Sequence, residues 1–290
     1  MRNSNLKKLA GDPNFISGIY NYCDRWCERC GFTSRCLLYM TGQADPDTDD
    51  PELHDISNEK FWQKLRNVFR DTSEMIAEWA AEEGVDLDSI DVTEEMAAHD
   101  RAMAEASQDQ MSQSATEYAT TVEHWFRNEF AAEPDIHSDM PAADTTDADV
   151  TASEAIEVIR WYQFFIAVKL MRALSGAHDV DEEAFEPEEF LSFDIAPSED
   201  DDDEDFDYEE IAARSSLIDA NGSAKTALIA IDRSIAAWRA LQIAWPDKSE
   251  SIKPMLIELD RLRRSVEGRF QHARDFIRPG FDESSSEFVS

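Results

Sequence analysis

Apolar residues recur along most of this chain at steps of three and four, the spacing of one helix face, and no stretch alternates as a half-buried strand does. Asp12-Pro13 has the form of a capped helix start, and Phe15, Ile19, Tyr22 and Trp26 follow at helical spacing up to Gly31. A long amphipathic helix is expected from an N-cap at Ser57 to a stop at Gly84. Phe61, Trp62, Leu65, Val68, Phe69, Met75, Ile76 and Trp79 form its predicted buried face. Another runs from Thr93 towards Phe130, with a break expected around Gln108 to Ser114. The most apolar segment opens at Ser153 and ends at Gly176, and its pattern predicts a central, mostly buried helix. On it, Arg160, Gln163, Lys169 and Arg172 are expected to reach outward to solvent. Two further stripes, Leu228 to Leu241 and Met255 to Phe270, flank a turn at Trp245-Pro246-Asp247 and predict an antiparallel pair.

The fold class that follows is all-α, a helical bundle around a central apolar helix at about 153–175. Residues 1–42 are expected to form a cysteine-rich helix-turn segment, and 56–280 a bundle interrupted by acidic disordered loops at 131–150 and 177–210. A disordered tail is expected at 281–290. Gly222-Ser223-Ala224-Lys225-Thr226 lacks the earlier glycine and the preceding strand of a phosphate loop. It reads as a helix start capped by Ser223.

Composition agrees with helices: only 9 Gly and 10 Pro occur in 290 residues. Charge narrows the partners. The formal net charge is -36, and residues 41–210 carry 9 Lys/Arg against 49 Asp/Glu. Such a surface repels phosphate backbones and anionic lipid, so nucleic acid and membrane are not expected and a basic protein surface is the expected partner. The N-terminus lacks the apolar core of a signal peptide, so a cytoplasmic protein with reduced thiols is expected.

All four cysteines, Cys23, Cys27, Cys30 and Cys36, fall in one short segment, and thiols clustered in that compartment read as metal ligands before disulfides. Soft thiolates select an iron-sulfur cluster or zinc over calcium or magnesium. On an intact helix Cys23, Cys27 and Cys30 form a single stripe about 10 Å long. Tetrahedral zinc brings its sulfurs within roughly 4 Å of one another, so the helical reading prefers a 4Fe-4S cluster and keeps zinc as the alternative. Arg25, Arg29 and Arg35 lie close enough in sequence to offset the charge of such a centre or simply to face solvent. No catalytic motif is present: none of the six histidines follows a glutamate by three residues, as a di-iron bundle requires.

The spacing Cys27-x2-Cys30-x5-Cys36 resembles the end of the cluster loop of helix-hairpin-helix DNA glycosylases, an activity that the acidic chain argues against. Cys23-x3-Cys27-x2-Cys30 is similar to the radical SAM motif, without the barrel pattern that accompanies it. The run Phe15 to Cys30, with Gly222 to Lys225 and Arg233 to Trp238, resembles a family of bacterial helical proteins, uncharacterised as to activity, that carry an N-terminal C-x3-C-x2-C-x5-C motif. That resemblance implies a protein entire of its kind. From these readings the chain is expected to be a non-enzymatic metal-binding interaction module, with an iron-sulfur redox protein as the other reading.

Overall fold

The computed structural model describes residues 9, 11–43, 50–129, 147–178, 180, 182–193 and 208–282. Among them the chain forms α-helices and short 3-10 turns, and the sole bridge is an isolated pair, Ser192 with Ile277. The fold is all-α. The helices are α1 (Leu37–Gln43), α2 (Glu59–Glu83), α3 (Thr93–Gln108), α4 (Gln110–Glu129), α5 (Asp147–Gly176), α6 (Tyr208–Ala244) and α7 (Ser249–Arg269). The chain divides into two compact units, residues 1–98 and 99–290.

In the first unit α2 obeys its sequence signals at both ends. Asn58, one residue after the expected Ser57, accepts the Lys60 N–H on its side chain at 3.0 Å, and Gly84 stops the helix at φ +71°. Its apolar face is not buried as expected. Trp62, Val68, Phe69, Ile76 and Trp79 are all exposed, Phe69 at 64%. Within this unit the element that packs against α2 is the short turn Pro51–Leu53, too small to cover a helix of 25 residues. The N-terminal helix expected from Asp12 to Gly31 does not form; turns occupy that stretch.

In the second unit α4, α5, α6 and α7 pack in a closed ring: α4 on α5, α5 on α6, α6 on α7 and α7 back on α4. The break expected near 108–114 falls at Asp109, whose carboxylate accepts the Met111 N–H at 2.7 Å and opens α4. The turn Pro246–Lys248 reverses the chain between α6 and α7, as the two stripes predict. Helices α5 and α6 share the enclosed core: Ile159, Tyr162, Ile166, Leu170 and Ala173 of α5 are fully buried. Leu217, Ile218, Ala224, Leu228, Ile231, Trp238 and Leu241 of α6 are buried, whereas α5 leaves Trp161, Phe164 and Val168 at the surface. Apolar residues all round α5 thus leave one side of it in water while the other lies in the core, and a small residue of α5 lets α6 come close. At Gly176 an added Cβ would stand 3.2 Å from the Ser216 carbonyl of α6.

Polar groups on α5 divide. Arg160 lies exposed over the Phe126 ring, 4.5 Å from its centroid, and Arg172 pairs with Asp219 of α6. Gln163 and Lys169 are buried, contrary to expectation, with the Lys169 ammonium 5.6 Å from the Phe165 ring centroid. An aromatic knot joins three helices. Trp238 Nε1 donates to the Tyr118 hydroxyl at 3.0 Å, Trp125 meets Trp238 edge to face at 5.0 Å, and Trp125 Nε1 donates to Ser251 Oγ at 2.9 Å. Burial pushes the Tyr118 phenol well above its ordinary pKa, so it stays protonated.

Gly222 to Thr226 lie in the middle of α6, so Ser223 is a fully buried interior residue and not an N-cap. Part of the expected 177–210 loop is ordered too. Short turns occupy Glu182–Ala184 and Pro187–Glu189, Phe190 is buried, and α6 already begins at Tyr208. Residues 281 and 282 are anchored rather than frayed: Arg278 pairs with the Asp282 carboxylate at 2.9 Å and overlies Phe281. Residues 131–146 of the loop expected at 131–150, 194–207 of that expected at 177–210 and 283–290 of the tail expected at 281–290 lie outside the described residues.

Candidate metal centre

The cysteine segment is a series of turns pinned to itself. Ile16 N–H donates to the Arg35 carbonyl at 3.0 Å, and Arg35 Nε donates to the Asn14 carbonyl at 3.2 Å, so the chain on either side of the cysteines is tied together. Ile16, Ile19 and Tyr22 are buried beneath this clasp. Gly18 adopts φ +69°, and Arg25 adopts φ +60°, a left-handed conformation that a residue with a side chain rarely takes. A 3-10 turn follows at Cys27–Arg29 and a second at Thr33–Arg35.

These turns replace the predicted helix, so the stripe of three thiols at helical rise does not exist. The local reason is visible in the residues. Asn14, Ser17, Gly18, Asn21 and Asp24 favour turns, and Asp12 and Asp24 each accept a backbone N–H two residues on, at 2.9 and 3.2 Å. Of the apolar period that suggested a helix, Ile19 and Tyr22 are buried together with Ile16, while Phe15 and Trp26 are half-buried.

No disulfide joins any of the four cysteines, and each is half-buried. Burial raises the Cys27 thiol above its ordinary pKa, and repulsion from Cys23, Cys36, Glu28 and Cys30 acts in the same direction. Cys27 therefore feels the charge of each of the other three cysteines. Cys23 Sγ donates to the Tyr20 carbonyl at 3.7 Å, and Phe32 N–H donates to Cys30 Sγ at 3.4 Å. An N–H aimed at sulfur stabilises a thiolate, and sequence reasoning overlooked it; the turn-forming pair Cys30-Gly31 was its signal. Among the described residues no three His, Cys, Asp or Glu side chains already stand as a ligating group. The donors are gathered on adjoining turns and are not closed into a coordination sphere.

The three arginines differ in what they touch. Arg29 stacks on Trp26, 4.1 Å from the ring centroid, and Arg35 holds the clasp, while Arg25 supplies the left-handed bend before Cys27. Trp26 is half-buried under Arg29 rather than part of a core. In the second unit a cleft of about 540 Å³ is walled by Val180, Phe185, Phe190 and Phe270. At its rim His272 Nε2 lies 3.9 Å from the Glu182 carboxylate, beyond hydrogen-bond reach. Compared with protein-family models, with curated proteins and with solved structures, the chain matches none.

Proposed function

We propose that Cys23, Cys27, Cys30 and Cys36 form a four-thiolate metal centre in a non-catalytic, acidic helical protein, and that the metal locks the N-terminal turns as a docking element. The observation that carries this reading is that every thiol in the chain lies on the adjoining turns of one segment tied back on itself by the Ile16–Arg35 hydrogen bond, without a disulfide. With the helix absent, the objection to zinc disappears, because turn backbone can bring sulfurs within the roughly 4 Å that a tetrahedral ion needs. Zinc is therefore the metal of this reading. The raised Cys27 pKa supports a site that binds by displacing protons, so affinity falls as the solution is acidified. Bound metal would supply two positive charges and reverse the repulsion among the sulfurs. The net charge of -36 favours a basic protein as the docked partner.

The test is metal analysis of protein purified without oxygen, together with its absorbance spectrum. One zinc per chain, a colourless solution, and loss of both the metal and several degrees of thermal stability in Cys27→Ser are expected. An unchanged metal content in Cys27→Ser sinks the proposal. A brown protein with absorbance near 400 nm that bleaches on reduction establishes the second reading, a 4Fe-4S redox centre. That reading draws support from the half-exposed thiols, within reach of electron donors and oxidants.

A further inference from the structure

Helix α2 presents an apolar seam with the period of a coiled coil. Phe61, Leu65, Val68, Thr72, Met75 and Trp79 succeed one another at alternating steps of four and three, and Trp62, Phe69 and Ile76 run beside them at steps of seven. Val68, Phe69 and Trp79 are each at least half exposed. Exposed apolar side chains in a contiguous stripe mark an interaction surface.

Charge on the same helix identifies what covers it. The first half, residues 59–70, carries Lys60, Lys64, Arg66 and Arg70 against Glu59 alone; the second, residues 71–83, carries Asp71, Glu74, Glu78, Glu82 and Glu83 and no cation. This order opposes the helix dipole, which favours acids at the N-terminal end and bases at the C-terminal end, so the isolated helix is electrostatically unfavourable. Lys60 answers part of this locally through Asp50 and Glu52, and Arg70 through Asp71 and Glu74. A second α2 laid antiparallel complements the charge asymmetry of the whole helix. Its acidic half meets this basic half, its dipole opposes this one, and the two-fold axis makes every contact twice. A parallel copy would set like charges together.

We propose that α2 is the interface of a homodimer in which two copies pair antiparallel about a two-fold axis near Arg70. The seam positions then fall in register. Phe61 faces the copy's Trp79, Leu65 the copy's Met75 and Val68 the copy's Thr72. Phe69 meets its own equivalent, and Lys64 meets the copy's Glu78 at the flank.

The experiment is sedimentation of the full chain under reductant, across concentration and salt, with helicity of each variant checked by circular dichroism. Wild type sediments as a dimer that weakens with added salt. Lys64→Glu and Glu78→Lys each set like charges across the axis and weaken the dimer about tenfold or more, and the double variant recovers it. Phe69→Asp, at an exposed position, gives a folded monomer. A wild type that stays monomeric at every concentration overturns the proposal in favour of another covering partner. A dimer indifferent to both single reversals, or a double variant that fails to recover, overturns it as well.

Discussion

Trp238 is where the second unit is most sensitive. Its indole is wholly buried, donates to Tyr118 and packs edge to face on Trp125. Trp238→Ala leaves a large void and takes the indole N–H from the Tyr118 hydroxyl, and should cost about 3–5 kcal/mol in urea unfolding. A smaller effect is expected at Asp282. Burial works to raise its pKa, but hydrogen bonds from Arg278 and Lys225 prevail and hold it at about 2, below the ordinary 3.8. A carboxylate with a lowered folded pKa adds stability that is complete above about pH 4 and disappears as the pH falls towards 2. With allowance for solvent screening this is worth on the order of 1–2 kcal/mol. Denaturation midpoints across that window should shift accordingly in wild type and stay flatter in Asp282→Asn.

Among the helices, legibility followed length and local signal. The 25 residues of α2 have a capping Asn58, a left-handed Gly84 and an uninterrupted period, and sequence placed both ends within two residues. Gly84→Ala should cost about 1 kcal/mol in thermal unfolding, because any Cβ at φ +71° is strained. Residues 12–30 show the opposite case: Phe15, Ile19, Tyr22 and Trp26 fit a helical period, yet Ser17-Gly18 and the aspartates that bond their own backbone made turns the better local solution. The four cysteines were visible as a set, but the path between them was not, and the preference for a cluster over zinc rested on that path. Apolar content marked α5, while the wholly buried Ala220, Ala224, Ala227 and Ala230 of α6 gave a weaker signal because alanine is common on exposed faces too.

Taken as a whole the chain carries 63 acidic against 27 basic side chains, so compact folding gathers like charge. Salt should relieve that repulsion, and the melting temperature should rise between low and moderate sodium chloride. The same salt series is expected to weaken the α2 pairing, so stability and association should move in opposite directions. Lys225 adds a consequence in the order of synthesis. It sits in the middle of α6 with its side chain largely buried, and it meets the Phe276 carbonyl and the Asp282 carboxylate, both contributed by the last part of the chain. During translation α6 leaves the ribosome well before either acceptor exists. Lys225 therefore gains these two partners only after residue 282 has emerged, and until then its ammonium must stay in water.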